Sequence, residues 1–293
     1  MQFCPLTEEH IYLCLPYFEL LSHSTCDYTV GGVFMWRDLY KIEYAVNDDC
    51  LYIRYYEEQG DFYYGMPMCK DEHIDNAINR LIAFEKAQGN SVIRFCAIPA
   101  EYMPHFEKVK LKSSSYAQRD YFDYLYSSQD LIGLVGKKYG GQRNLISQFT
   151  RLYEERFEKI TKDNIADVRD FFNRFSAVGV SEEKDAENEL VSQVLESDDM
   201  YGMFGGVLYA NNQVAGFAVG EQVRDVLYVH IEKADREIKG AYQTLNNRFA
   251  TLFGKNATYI NREDDAGDLG LRKAKLALHP VKLLEKYVIE YEL

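Results

Sequence analysis

The same order of elements is written twice along the 293 residues, and this repetition constrains the fold more than any single motif does. In the first half, residues 7–21 read as a helix with a capping threonine and a bend at Pro16. Residues 42–46 and 51–56 alternate about Asn47-Asp48-Asp49 as a hairpin, and 62–65 add a third strand. An amphipathic helix at 71–88, stopped by Gly89, precedes a strand at 91–98, a short helix at 100–109 and a closing strand at 116–126. The second half opens with helices at 161–175 and 181–196. Strands follow at 206–210, 214–220 and 226–232, then a helix at 238–253, a strand at 258–261, a short helix at 269–278 and a closing strand at 283–291. What repeats is the order, not the residues. One core rarely exceeds roughly 250 residues. The expectation is two domains, 1–130 and 156–293, with 131–155 as a helical connector loosened at Gly140-Gly141.

Composition excludes several classes. At 47% hydrophobic and 27% charged, the chain can bury cores and is not disordered. A net charge of -13 argues against a general nucleic-acid binder, although a local basic cluster can hold one anionic ligand. The first residues lack a basic-then-apolar leader, and no run approaches ~18 apolar residues, so a cytoplasmic chain without a membrane span is expected. Cys4, Cys14, Cys26, Cys50, Cys69 and Cys96 form no Cys-x-x-Cys pair and read as reduced thiols. The six histidines are far apart, so no metal site is expected. Nucleophile-elbow, zinc-protease, Walker and dinucleotide motifs are all missing.

Three antiparallel strands, helix, strand, helix, strand is the order of the GNAT acyltransferase fold. The expected class is therefore α/β (α+β): two tandem GNAT-like domains, each a mixed, mostly antiparallel sheet flanked by helices. In this fold the third strand of the group and the next strand splay apart, exposing backbone groups to an acyl donor. The helix between them points its N-terminus at the donor's phosphates. Three stretches go further. They are Asp123-Tyr124-Leu125-Tyr126 running on to Lys137-Lys138-Tyr139 and Arg143-Asn144; His230-Ile231-Glu232-Lys233-Ala234-Asp235 up to Gly240-Ala241-Tyr242-Gln243; and Asn261-Arg262-Glu263-Asp264 up to Gly270-Leu271-Arg272-Lys273-Ala274-Lys275 and His279-Pro280. With Asp27-Tyr28-Thr29 and Trp36-Arg37-Asp38, they make the chain resemble an uncharacterised bacterial family. That family is related to the C-terminal domain of phosphatidylglycerol lysyltransferases, a tandem-GNAT group akin to Fem-type aminoacyltransferases. The resemblance implies transfer of an acyl or aminoacyl group to an amine or hydroxyl. The donor would be acyl-CoA or aminoacyl-tRNA, and the acceptor a small molecule, lipid or peptide, with no other cofactor. Lysine transfer onto a membrane lipid is not implied, because the membrane half of the lysyltransferases is not in these residues.

The candidate residues follow from placement. Residues 234–241 lie where a GNAT holds its pyrophosphate loop. Arg236 and Gly240 are its phosphate candidates, although the glycine spacing is one residue out of step and Glu237 is acidic. Glu263 and Asp264 end a strand at the acyl cleft and are candidates for general base or acceptor orientation. His230 and Glu232 alternate on their strand and are expected to share one face as the cleft floor. Arg262, Arg272 and Lys275, with Lys282 nearby, and a second cluster of Lys137, Lys138 and Arg143, are candidates for the donor's phosphates, and the expectation is that both clusters line one groove. In the first half the equivalent loop, 66–72, contains one base, two acids and no glycine, so that half is expected to have lost donor binding. The alternative is a non-catalytic protein that uses the same cleft for a small ligand.

Overall fold

The computed structural model describes residues 1–57, 60–177 and 182–293. Along the first half run β1 (Cys4–Pro5), α1 (Ile11–Phe18), α2 (Val30–Phe34), β2 (Glu43–Asn47), β3 (Cys50–Tyr56), β4 (Phe62–Tyr64), α3 (Ile74–Ala87), β5 (Val92–Pro99), α4 (Met103–Glu107), β6 (Ser113–Ala117), β7 (Asp123–Ser127), α5 (Ser128–Gly133) and α6 (Gly140–Leu152). The second half adds β8 (Glu155–Lys159), α7 (Ile165–Ser176), α8 (Glu182–Glu196), β9 (Phe204–Ala210), β10 (Gln213–Val223), β11 (Val226–Ala234), α9 (Ala241–Phe253), β12 (Tyr259–Asn261), α10 (Leu269–Leu276), β13 (Lys282–Leu284) and β14 (Lys286–Glu292). Ser181, expected to open the second helix of this half, lies outside the described residues.

The repeat holds at the level of turns. Asp48 and Asp49 join β2 to β3, and Asn211 and Asn212 join β9 to β10. All four residues have positive φ, between 48° and 63°. Two such residues in succession match the twist of a tight hairpin, and Asn and Asp tolerate that conformation. Two elements had no periodic signal. One is α2, where Gly31-Gly32 reads as a loop; Thr29 caps it by accepting from the Gly32 N–H. The other is β8, a short charged strand antiparallel to β9. Each sheet therefore begins with four antiparallel strands, the fourth of which also forms the parallel pair with the next.

The two sheets have orders β1-β2-β3-β4-β5-β14-β6 and β8-β9-β10-β11-β12-β7-β13. The closing strands are exchanged. The expected strand 116–126 breaks at residues 118–122: β6 stays in the first sheet and β7 pairs with β12 in the second. The expected strand 283–291 breaks at Glu285, and β14 enters the first sheet between β5 and β6. Periodicity shows that a strand exists but not which edge it pairs with, so the sequence suggested a simple tandem.

By compactness, one unit is Met1–Asp123, Asp264–Leu269 and Leu283–Leu293, and the other is Tyr124–Glu263 and Gly270–Lys282. Residues 131–155 are built into the second unit instead of standing outside it as a connector. Phe149 of α6 is fully buried there, and α6 packs on α9. Burying a side chain of that size stabilises by roughly 1.5–3 kcal/mol.

Candidate active site

In the second unit β11 and β12 run parallel for three pairs, Val226↔Tyr259, Leu227↔Ile260 and Tyr228↔Asn261. Beyond Tyr228 the ladder stops while β11 continues, which opens the splay. Just there β11 carries a bulge. Its partner β10 pairs Val219 with Ile231 but Gly220 with Val229, so His230 is the extra residue.

The bulge shifts the alternation of side chains and overturns the expected common face of His230 and Glu232. The His230 ring stacks on Tyr228 and bonds to Glu221 of β10. Glu232 instead points to the α9 side, where it accepts from Asn246 Nδ2 at 2.7 Å and from Arg262 at 2.7 Å.

His230 is held by two carboxylates. Its Nε2 lies 2.8 Å from Glu221 Oε1 and its Nδ1 lies 2.7 Å from Glu263 Oε1, with the imidazole side chain 1% exposed. Both carboxylates accept, so both ring nitrogens donate and the imidazole is charged. Burial pulls the pKa down, but the two hydrogen bonds and the two negative charges outweigh it and bring the value to about 10. Glu263 follows β12 with φ of 55°. Its N–H donates to Asn261 Oδ1 at 2.7 Å and its carbonyl accepts from the Tyr124 N–H. The Glu263 side chain is 28% exposed, so one carboxylate is both anchored and reachable.

On the α9 side a small cavity lies under the splay, lined by Leu131, Leu227, Val229, Phe249, Ala250 and Ile260 and by the polar Glu232, Asn246 and Arg262. The Glu232–Arg262 ion pair laces β11 to the end of β12. Arg262 Nε is buried and has no hydrogen-bond partner.

The remaining candidates take other places. In the loop before α9, Gly240 has φ of 82°, and a Cβ there would lie 2.4 Å from the Leu145 carbonyl, so this glycine serves contact with α6. Arg236 lies beside the Tyr242 hydroxyl, and Asp235 accepts from the Glu237 N–H. Lys275 is buried and donates to the Arg262 carbonyl at 2.6 Å, so it is not the solvent-facing partner of Arg272 on α10. Lys138 pairs with Asp130 at 3.0 Å, and Arg143 donates to the carbonyls of Leu134 and Gly136, while Lys137 stays exposed. The two basic segments do meet. His279 Nε2 bonds the Lys138 carbonyl, and Gln142 Nε2 donates to the Ala277 carbonyl.

Asp264 belongs to the first unit, where its carboxylate lies 4.0 Å from Lys286 Nζ. Lys286 is buried, with Asp27 and Asp123 each 2.7 Å from its Nζ. Burial works against its charge, but Asp123 and Asp27 hold it well above the ordinary lysine value. Cys26, Asp27 and Asp123 are spaced as metal ligands could be, but the ammonium already supplies the cation there. The splay of the first unit, where β4 and β5 share the single pair Tyr64↔Phe95, is filled by Tyr28. Its hydroxyl donates to the Ala97 carbonyl at 3.1 Å and accepts from the Met66 N–H at 2.9 Å.

Sequence reasoning missed Glu221 and Asn246. Glu221 had a signal, an acid closing the apolar run 214–220; Asn246, on a helix, had none.

A family model described as phosphatidylglycerol lysyltransferase, C-terminal, matches residues 18–290. The chain belongs to this family. A conserved protein of unknown function from Bacteroides thetaiotaomicron VPI-5482 is 28% identical, with a TM-score of 0.91 over 100% of both chains. The C-terminal domain of a putative lysylphosphatidylglycerol synthetase from Agrobacterium fabrum is 10% identical, with a TM-score of 0.68 over 97% of this chain and 92% of that one. FemX is 9% identical, with a TM-score of 0.62 over 100% and 98%. These family neighbours and the strand orders make the fold a tandem GNAT fold. An uncharacterized protein from Mycoplasmoides gallisepticum is 22% identical over 173 residues, a match spanning 57% of this chain and 56% of that relative's length. Among the described residues, no helix is long and apolar enough to cross a membrane.

Proposed function

We propose that the protein transfers an acyl or aminoacyl group to an amine at the splay of β11 and β12. The observation that carries this reading is the Glu263 carboxylate, fixed at the end of the splayed strand by a buried imidazolium and still reachable. The neutral amine nitrogen would bond to the acyl carbon while the carbonyl electron pair moves to oxygen. On collapse the C=O re-forms, the donor's C–O or C–S bond breaks, and Glu263 takes the proton that the nitrogen loses. His230 would touch no substrate. It holds Glu263 in place through its Nδ1–H, with Glu221 behind it on Nε2. Membership in a family named for a transferase supports the same class of reaction.

Three features favour an aminoacyl ester, as on aminoacyl-tRNA, over a coenzyme A thioester. The loop before α9 commits its one positive-φ glycine to helix packing. Glu237 puts a negative charge in that loop. The Glu232–Arg262 pair ties β11 to the end of β12 beside the splay. The test is transfer from a panel of aminoacyl-tRNAs and acyl-CoAs to pooled amines, read by mass spectrometry. Glu263→Gln should lower the rate by about 10²–10⁴ while the chain stays folded. Undiminished transfer by that variant would remove Glu263 from the mechanism.

A further inference from the structure

We propose that Cys50 and Cys69 form a reversible disulfide, a modification site in the first unit that hydrogen peroxide closes and a thiol reductant reopens. The proposal does not depend on the transferase reading.

The pairing of the backbone carries it. Leu51 and Met68 form an antiparallel bridge in which each N–H donates to the other's carbonyl at 2.9 Å. One step along, Cys50 of β3 therefore faces Cys69, and because the ladder alternates this is a non-hydrogen-bonded pair. The Cα atoms of such a pair lie about 4.5 Å apart, within the ~4.4–6.8 Å that a disulfide spans. Both thiols are free and buried, but each is next in sequence to an exposed residue, Asp49 and Lys70. The two cysteines are distant in sequence and outside any Cys-x-x-Cys pattern, so only the fold brings them together.

The surroundings give the two sulfurs different roles. Hydrogen bonding to Cys50 and the Arg80 guanidinium of α3 pull the Cys69 thiol below its ordinary value, against burial and Asp71. The same hydrogen bond and burial push the Cys50 thiol up. Arg80 is itself held, by Asp48 at 2.8 Å and by the Tyr52 hydroxyl at 3.1 Å. By contrast, burial pushes the thiols of Cys14 and Cys96 up to about 12. Cys69 is thus the attacking thiol. Its sulfur bonds to one oxygen of the peroxide, the O–O bond breaks, and the hydroxide released takes the thiol proton as water. The Cys50 sulfur then bonds to the Cys69 sulfur while the S–O bond breaks, and the departing hydroxide takes the Cys50 proton as a second water. The two thiols lose two electrons and the peroxide gains them. The bridge would pin to β3 the segment 66–69, whose Met66 N–H is met by the Tyr28 hydroxyl at 2.9 Å.

The test treats the folded full chain with hydrogen peroxide, then unfolds it, alkylates the remaining thiols and maps the peptides by mass spectrometry. The wild type should lose two hydrogens and give one peptide pair joined through Cys50 and Cys69, with Cys14 and Cys96 still alkylated. Dithiothreitol should restore both thiols. Amide hydrogen exchange at Met66 and Met68 should slow on oxidation and recover on reduction. Cys50→Ser should trap a sulfenic acid on Cys69, read with dimedone, and Arg80→Gln should slow bridge formation roughly threefold or more. The wild-type chain decides the matter even where a variant misfolds. A bridge from either residue to a different cysteine would overturn the proposal. So would sulfinic acid on Cys69 without a bridge, or a dose that oxidises the unfolded chain and leaves both thiols of the folded chain free. An unchanged rate in folded Arg80→Gln would overturn the assignment of Cys69 as the attacking thiol.

Discussion

His230 makes the second unit sensitive to alkali. Its value in the folded chain, about 10, lies above the ordinary histidine value near 6.5. Between those two values the folded state holds a proton that the unfolded state has released. The stabilisation is therefore complete below pH 6.5 and is lost as pH rises through 10. One such proton gives a slope of about 1.4 kcal/mol per pH unit. Urea denaturation at pH 7, 8 and 9 should show this decline in the wild type, and a shallower one in His230→Gln. Parallel declines would mean that His230 carries no extra proton. The sequence showed His230, Glu232 and Glu263 as chemistry-bearing residues but not their pairing. A strand without a bulge would have put His230 and Glu232 together. One inserted residue separates them and gives Glu263 to His230 and Arg262 to Glu232.

At the scale of elements, the two splays have different fates. In the second unit a carboxylate reaches the gap, whereas in the first the Tyr28 hydroxyl satisfies the Met66 N–H and the Ala97 carbonyl. The loop 66–72 suggested this loss through its lack of glycine; the plug itself lies nearly forty residues upstream in sequence, where no local pattern could show it. Tyr28→Phe should leave both backbone groups unmet and destabilise the chain by roughly 1–3 kcal/mol for each. Donor binding in the second unit should be unchanged, with calorimetry giving about one donor per chain in wild type and variant alike. Two donors per wild-type chain would show that the first splay is open. The hairpins and α3 were legible because turn chemistry and a 3.6-residue stripe are local signals. The element α2 was hidden because Gly32 serves close packing: a Cβ there would lie 2.0 Å from the Cys26 carbonyl.

At the scale of the whole chain, the exchange of closing strands changes what the C-terminus does. In a simple tandem, residues 283–293 would finish the second unit. Here β14 is an interior strand of the first sheet, with Val288, Ile289 and Tyr291 buried, and Lys286 at its start facing Asp27 and Asp123. A stop after residue 284 should therefore strip β5 and β6 of their shared partner and take the Lys286 ammonium away from buried Asp123. Removing one member of a buried ion pair alone costs about 3–5 kcal/mol. Hydrogen exchange followed by mass spectrometry should show the truncated chain losing protection in β3, β5 and β6 first, while β9, β10 and β11 keep theirs. Lys286→Met keeps the strand and removes only the ammonium, so it should weaken the same three strands to a smaller degree. Loss of protection confined to β9–β11 in the truncated chain would mean that β14 belongs to the second sheet, and the exchange would have to be abandoned.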